Sequence, residues 1–335
     1  MYTNQTAAAP AITSTIAEIS APATPPTTSL QEQAHALLDW AEALLREAEF
    51  IPALRLLGKP LTALWSEARG SGCADAMLQW CRTHPLRYLV EQDPYTQCAI
   101  TKPRGYAGDA VMMDYIYTGS APAGTSALGQ GVFSATTRVS MGLSVLYRRQ
   151  LLKSLIDDAV VSHDAARVLS VASGHARELE GSLVGTPFFH GEVIALDQDP
   201  LSCAEVARVQ HAGHVRVVNH GVRELMSGPL ADTLGRFDLI YSAGLYDYLP
   251  EALARRLTAR LLRMLNPGGR LLIANFVPGG SGRGYMELFM DWTLVLRDEA
   301  ALRALAQAAG AAQVMSFHDP HRNVVYAELL NEAAS

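Results

Sequence analysis

The residues best suited to chemistry lie where two apolar runs in the second half of the chain end. The first run, residues 168–172, leads directly into Ser173 and Gly174, and the second, Glu192–Asp197, ends in a carboxylate 23 positions after that glycine. Because glycine has no side chain, a ligand can approach the backbone at Gly174, and a carboxylate at the end of a second strand can accept both hydroxyl protons of a ribose. The pair predicts a site for a cofactor that contains a nucleoside.

Both features also have plainer explanations, since small residues in such a turn often serve packing and an aspartate at a strand end often caps a helix. Two cofactors with a ribose fit the pattern, a nicotinamide dinucleotide and S-adenosylmethionine. The dinucleotide requires glycines at three fixed places beside its pyrophosphate. Here Gly174 has Ala172 and Ala176 as its neighbours instead, and Glu178 would repel phosphate. A cationic sulfonium tolerates acidic surroundings, so S-adenosylmethionine is the predicted cofactor.

A site at Gly174 and Asp197 requires that the two apolar runs be strands of one sheet. The sequence of the second half of the chain predicts such a sheet. Strand-like runs at residues 168–172, 192–197, 237–242 and 270–276 alternate with helical patterns at residues 201–210 and 251–265. This alternation is typical of βαβ units in a parallel sheet, whose ligands bind beyond the carboxyl ends of the strands. The predicted fold class is therefore α/β, a doubly wound, mostly parallel Rossmann-like sheet in residues 161–335.

The first half of the chain is predicted to be helical. Residues 1–28 are rich in Ala, Thr and Pro, a composition that predicts a flexible tail. After an N-cap at Ser29, apolar residues recur at helical spacing, with further helical patterns at residues 51–68, 74–88 and 139–159. We therefore expect residues 29–160 to form a helical cap.

A turn-rich loop interrupts the helical cap at residues 102–109. Two glycines, one proline and three charged side chains within eight residues indicate an exposed, sharply turned segment. One interpretation is that Asp109 caps the helix that follows; the other is that the loop brings Arg104 and Tyr106 over an anionic ligand. Because an arginine can bind a carboxylate through two hydrogen bonds, we expect Arg104 and Tyr106 to reach the methionine carboxylate of the cofactor, with Arg177 as the competing anchor.

The second half resembles the class I methyltransferases over roughly residues 165–330. Residues 197–200 are similar to their ribose-binding segment, residues 237–249 to their fourth-strand motif, and residues 261–273, with an Asn-Pro-Gly-Gly turn, to their helix, turn and fifth strand. Residues 170–178, 102–109 and 285–292 also resemble a bacterial group that includes the methyltransferases making 3-hydroxy fatty acid methyl esters, the extracellular-factor autoinducers. The resemblance implies methyl transfer to a small-molecule acceptor, and one acceptor that it suggests is the carboxylate of a 3-hydroxy fatty acid.

The same resemblance implies roles for single residues in cofactor binding. Ser173 and Gly174 would lie along the methionine part, Asp197 on the ribose and Gln198 beside the adenine. Ser242 and Gly244 would form the floor of the site, and Arg223 would cover the adenine edge unless it is an exposed structural arginine.

Candidates for acceptor binding and catalysis follow the fourth strand and lie near residue 290. Tyr246, Asp247, Tyr285 and Trp292 are the predicted acceptor-binding residues, and Asp291 and Tyr246 are the predicted catalytic residues. A carboxylate acceptor needs no general base, whereas an amine or hydroxyl must lose a proton, for which Asp291 is the best candidate. The plainer interpretations put Tyr246 on a surface rim, Trp292 in the core and Asp291 on a solvated helix face.

Composition excludes several other functions. The 335 residues include 27 basic and 33 acidic side chains, a formal charge of −6, which disfavours nucleic-acid binding. The four cysteines have neither zinc nor disulfide spacing, and the segment from His318 to His321 is typical of a turn, so no metal is predicted.

We therefore expect a soluble, cytoplasmic enzyme that has no membrane span and acts on a small molecule, and a homodimer is compatible with the sequence. Two other functions stay open. One is methylation of an amine or hydroxyl in a natural product, and the other is a non-catalytic scaffold that binds S-adenosylmethionine.

Overall fold

The computed structural model describes residues 29–209 and 213–331. The predicted tail, residues 1–28, lies outside the described residues. Within the described part of the chain, seven strands form one sheet: β1 (Arg167–Val171), β2 (Glu192–Asp197), β3 (Val215–Asn219), β4 (Phe237–Ser242), β5 (Leu265–Phe276), β6 (Gln313–His318) and β7 (Val324–Leu330). Their order across the sheet is β3-β2-β1-β4-β5-β7-β6.

Strands β1 to β5 run parallel to one another, and β7 runs antiparallel to both β5 and β6. The predicted fold class, α/β with a mostly parallel sheet after an N-terminal helical region, is confirmed. Strands β1, β2 and β4 each have a strand on both sides and are almost entirely buried. Fully buried parallel strands have the continuous apolar runs on which the prediction rested.

The helices within the described residues are α1 (Leu30–Arg46), α2 (Phe50–Leu56), α3 (Lys59–Gly70), α4 (Ala74–Thr83), α5 (Leu86–Val90), α6 (Pro94–Thr101), α7 (Ala110–Thr118), α8 (Ala127–Thr136), α9 (Ser140–Ser162), α10 (Pro200–Val209), α11 (Val222–Ser227), α12 (Pro229–Leu234), α13 (Glu251–Arg263), α14 (Arg283–Phe289) and α15 (Glu299–Ala308). The N-cap at Ser29 is present, because its hydroxyl accepts the backbone N–H of Glu32. Two of the predicted helical patterns each divide into two helices. One break falls at Gly58, and the other at His84, whose extended backbone is the conformation favoured before Pro85.

The connection from β1 to β2 is made by turns, without the crossover α-helix that is usual between parallel strands. Residues 172–191 contain two short 3₁₀ turns, Arg177–Leu179 and Leu183–Gly185, and no α-helix. The long helix α9 packs against both turns. The loop after β1 therefore offers no α-helix N-terminus on which a pyrophosphate could sit.

The two faces of the sheet are covered by different parts of the chain. Val168, Leu239 and Leu272 belong to one hydrophobic cluster together with the N-terminal helices, whereas Leu169 and Ile240 belong to a second cluster with α13 and α15. This alternation follows from the two-residue period of a strand. The helical cap and the sheet thus share one continuous core.

The turn predicted near His318 connects β6 to β7. The Asp319 carboxylate accepts the backbone N–H groups of His321, Asn323 and Val324 at 2.9, 2.8 and 2.7 Å. None of the helices in the described residues combines the length and apolar character needed to cross a membrane.

Candidate functional site

A cavity of ≈ 770 Å³ opens at the carboxyl ends of β1, β2, β4 and β5. Its walls are completed by the loop of residues 102–109, by α7 and by α9. Small-molecule sites typically enclose roughly 300–1,000 Å³, and in open α/β sheets they lie at this edge. The cavity is therefore the candidate functional site.

Asp197 is held in a fixed orientation at the wall of the cavity. It ends β2, and only 5% of it is exposed. Its Oδ2 accepts the backbone N–H of Gly174 at 2.7 Å, and its Oδ1 accepts the backbone N–H of Asp199 at 2.8 Å. Each carboxylate oxygen has a second lone pair. Asp197 can therefore accept two further hydrogen bonds from a ligand, and Ser173 and Gln198 line the cavity beside it.

The loop after β1 is tied to α7 by Asp114. The Asp114 carboxylate accepts His175 Nδ1–H at 2.8 Å and the Arg177 guanidinium at 2.8 and 2.6 Å. Burial of Asp114 opposes its ionisation, but the hydrogen bonds from Arg177 and His175 outweigh that effect and lower its pKa to about 2.

His175 presents an unsatisfied nitrogen in the same region. The Nδ1 atom of the ring is hydrogen-bonded to the Asp114 carboxylate. The other ring nitrogen, Nε2, is buried and has no hydrogen-bond partner among the described residues. His175 lines the cavity. A ligand there can satisfy Nε2 by donating to the neutral ring or by accepting from the protonated one.

The loop of residues 102–109 closes one side of the cavity, and both interpretations of it apply. Asp109 caps α7 by accepting the Met112 N–H at 2.9 Å, while Arg104 and Tyr106 line the cavity. The Arg104 guanidinium forms an ion pair with Asp199. The competing anchor, Arg177, is also paired, with Asp114 and with two glutamates. Neither predicted anchor is a free cation in this structure.

Aromatic side chains hold the loop against the sheet. Tyr248 Oη donates to the Ala107 carbonyl at 2.7 Å and accepts Trp292 Nε1–H at 2.9 Å. The rings of Tyr106 and Tyr248 meet edge to face with centroids 6.1 Å apart. Trp292 is only 6% exposed and also forms part of the cavity wall. It can therefore be a core residue and still line the candidate site.

Asp247 lies in the cavity wall after β4 and is 3% exposed. Its Oδ1 accepts Asn275 Nδ2–H at 2.8 Å and the Phe276 N–H at 2.7 Å. Burial raises the pKa of this carboxyl to about 7, although the hydrogen bond from the Phe276 N–H and two nearby arginines oppose the rise. Asp247 can therefore exchange a proton near neutral pH. Gly244, three residues earlier, also lines the cavity.

Two predicted acceptor-binding tyrosines lie away from the cavity. Tyr246 is fully buried on the opposite face of the sheet, where its hydroxyl hydrogen-bonds Thr258 of α13 at 2.7 Å. Tyr285 is stacked on Phe289 in the core of the helical cap, and its hydroxyl bonds Thr96 at 2.8 Å. The position of Tyr246 fits neither a catalytic role nor a place on a surface rim. The position of Tyr285 does not fit acceptor binding.

Three further predicted residues are not in the cavity wall. The Asp291 carboxylate is exposed and forms an ion pair with Lys102 at 2.5 Å, outside the cavity wall. Arg223 is exposed on α11, so its structural interpretation fits better. Ser242 is buried, and its hydroxyl donates to the Val171 carbonyl of the neighbouring strand at 3.1 Å, so it lies within the sheet below the floor.

Arg148 is a cavity residue that the sequence interpretation did not identify. It projects from α9 and is 7% exposed. His175 and Asp114 were likewise given no role from the sequence. For Arg148 a signal exists, because it falls three residues after Val145 and four before Leu152, on the buried face of its helix.

No protein-family model matches the chain, and no curated protein sequence matches it. Among solved structures, the chain is similar to one described as a possible exported protein from Bordetella parapertussis, with 16% identity over 93% of this chain and 100% of that chain and a TM-score of 0.56.

Two methyltransferases are also among the similar structures. The N-methyltransferase NodS from Bradyrhizobium japonicum in complex with S-adenosyl-L-homocysteine is 17% identical over 56% of this chain and 87% of that chain, with a TM-score of 0.40. The magnesium protoporphyrin IX methyltransferase ChlM from Synechocystis with bound S-adenosylhomocysteine is 12% identical over 58% and 88%, with a TM-score of 0.43. The strand order of the sheet is that of the class I methyltransferases, so the resemblance is one of fold.

Proposed function

We propose that the protein is an S-adenosylmethionine-dependent methyltransferase that acts on a small-molecule acceptor. The position of Asp197 is the observation that carries this proposal. Its carboxylate is oriented by the backbone N–H groups of Gly174 and Asp199 in a cavity at the end of β2, in a sheet with the methyltransferase strand order. A carboxylate in that place is suited to the two hydroxyls of a ribose.

The other cavity residues fit this cofactor better than a dinucleotide. The unpartnered Nε2 of His175 suits the methionine end, which offers both an ammonium donor and a carboxylate acceptor. The chain has a 3₁₀ turn after β1, in place of the α-helix N-terminus that usually binds a pyrophosphate.

When bound, S-adenosylmethionine supplies an electrophilic methyl group on a sulfonium centre. We assign the ribose to Asp197, the adenine to Gln198, and the methionine part to Ser173 and Gly174. The chain's contribution is to position the acceptor and to exclude water. Tyr106, Tyr248 and Trp292 serve the second task, because they join the loop of residues 102–109 to the sheet.

The acceptor that we propose first is a carboxylate, such as that of a 3-hydroxy fatty acid. The support is the resemblance of three sequence segments to the extracellular-factor group, together with apolar side chains in the cavity wall, among them Met113, Val145, Leu152, Phe276 and Leu294. A carboxylate requires no general base.

A hydroxyl or amine acceptor is the second candidate, and Asp247 favours it. A cavity carboxyl with its pKa raised by burial to about 7 can take a proton from such an acceptor at neutral pH. In this case Asp247 replaces Asp291 as the proposed base.

Two measurements test the proposal. Isothermal titration with S-adenosylmethionine should show binding, whereas NAD should not bind. A labelled-methyl transfer assay should then show product with at least one member of a panel of carboxylates, amines and phenols. Binding without transfer to any member would favour a scaffold, and absence of S-adenosylmethionine binding by the folded protein would overturn the proposal.

A further inference from the structure

Arg148 is a buried cation without an acidic partner. Its Nη1 donates to the Ala243 carbonyl at 2.6 Å, and its Nη2 lies 3.5 Å from the Met113 sulfur. Within the described residues, no carboxylate oxygen lies within 4.0 Å of its guanidinium. Taking a charge out of water costs free energy that a carbonyl and a thioether compensate only in part.

The groups that surround Arg148 leave it positively charged. Tyr117 of α7 is adjacent, and burial raises the pKa of that phenol, so it stays neutral. Asp247 and Glu178 attract Arg148 from a distance, but each is engaged elsewhere, Asp247 with Asn275 and Glu178 with the Tyr241 hydroxyl at 2.7 Å. The guanidinium therefore retains donors with no anion in contact, and Arg148 lines the cavity.

The place of Arg148 along the sheet separates it from the ribose candidate. It contacts Ala243, directly after β4, whereas Asp197 ends β2, and β1 lies between those strands. Neighbouring strands are about 4.8 Å apart, so the ends of β2 and β4 are separated by roughly 10 Å. The apolar residues Val145, Leu152 and Met113 share the Arg148 side.

We propose that Arg148 is the anion-binding residue of this cavity and that it takes a carboxylate of a bound ligand. A planar carboxylate matches the fork of a guanidinium, and a bound one would supply the missing counter-charge. Two sources offer that group, the methionine part of the cofactor and the acceptor. The inference rests on the proposed function for the identity of these ligands, while the unpaired charge itself is independent of it.

The test uses pairs of probes that differ only in the carboxylate. The first pair is S-adenosylmethionine and its decarboxylated form, measured by titration calorimetry. The second pair is octanoate and octanamide, measured by ligand-observed NMR in the presence of S-adenosylhomocysteine. Each probe is added to the full-length protein and to Arg148→Met, Arg148→Lys and Arg149→Gln. Arg149 is the matched control, because it is on the same helix and pairs with Glu180 at 2.7 Å outside the cavity wall.

We expect Arg148→Met to weaken binding of the carboxylate probe in at least one pair on the order of 30-fold or more. Binding of the probe without the carboxylate should change little. Loss in the first pair assigns the site to the cofactor, and loss in the second assigns it to the acceptor. Arg148→Lys keeps the charge but not the fork, so it should lie between the wild type and Arg148→Met, and it provides the comparison if Arg148→Met does not fold.

The inference is overturned if Arg148→Met behaves like Arg149→Gln with both pairs, or if the wild type prefers neither carboxylate. Either result with intact S-adenosylmethionine binding leaves the proposed function standing. A folded wild type that binds neither S-adenosylmethionine nor its decarboxylated form would count against the proposed function instead.

Discussion

The Asp197 carboxylate accepts the backbone N–H of Gly174 at 2.7 Å, which fixes the end of β2 to the loop that follows β1. The other carboxylate oxygen accepts the Asp199 N–H. Both oxygens therefore face backbone donors, and the orientation of the side chain depends on its having two acceptors.

Asp197→Asn should disturb this arrangement. An amide has one acceptor oxygen, so its NH₂ group must face the N–H of either Gly174 or Asp199. We expect the S-adenosylmethionine dissociation constant to rise on the order of 30-fold and the melting temperature to fall, measured by calorimetry and thermal unfolding. Asp232→Asn, at an exposed position of α12, is the control and should change neither quantity. An unchanged dissociation constant in Asp197→Asn would remove the main support for the ribose assignment.

The ion pair between Arg104 and Asp199 predicts coupled effects on cofactor binding. If Arg104 acts by holding the loop of residues 102–109 against α10, then Arg104→Ala and Asp199→Asn should each weaken binding, and the double variant should be little worse than either. Contacting pairs typically show coupling of about 0.5–3 kcal/mol in such a cycle. Full additivity would instead mean that Arg104 reaches the ligand itself, as the sequence interpretation expects.

Tyr246 and Tyr248 provide a matched pair of substitutions. Tyr246→Phe removes one buried hydrogen bond, to Thr258, and should lower the free energy of unfolding by about 1 kcal/mol without changing cofactor affinity or turnover. Tyr248→Phe removes the bonds to Ala107 and Trp292, so it should weaken cofactor binding by loosening the loop. A loss of activity in Tyr246→Phe at unchanged affinity would restore its predicted catalytic role.

Asp247 predicts a specific dependence of stability on pH. Because burial raises its pKa to about 7 in the native state, the native protein holds a proton between about pH 4 and 7 that the unfolded chain releases. Its contribution to the free energy of unfolding should therefore fall as pH rises through that window and level off above it.

The difference in unfolding free energy between the wild type and Asp247→Asn isolates this group, since the other titrating residues cancel. Measured by chemical denaturation, it should fall by about 2–3 kcal/mol from pH 5 to pH 7.5. A difference that is constant with pH would show that Asp247 is ionised throughout, and would remove its candidacy as a base near neutral pH.

The parts of the fold that could be predicted are those with a local signal. The buried runs of β2 and β4 have the bounds expected from the sequence, and β1 ends one residue early because Ala172 adopts a positive φ of 57°. Strand β3 was not predicted, since it is short, only partly buried and interrupted by Arg216. Strands β6 and β7 were also missed, because their assignment depends on pairing with one another and with β5.

The same distinction applies to the candidate site. Gly174 and Asp197 lie at strand ends, where chain position alone predicts the edge of the sheet. Arg148 and Asp114 reach the cavity from helices, and only tertiary packing brings those helices to the strand ends. Tyr246 was misplaced because closeness to a strand end does not specify a face of the sheet: in the turn after β4, Asp247 and Tyr248 point to the cavity and Tyr246 away from it.

The core shared by the helical cap and the sheet limits how this protein can diversify. Leu38 of α1 and Tyr326 of β7 belong to one hydrophobic cluster, and α9 runs across the boundary expected near residue 160. Recombination that exchanged the cap as a cassette would cut through this helix and leave two mismatched apolar surfaces. New binding preferences of the cavity would therefore arise more readily by point substitution of inward-facing side chains, among them those on α7 and α9.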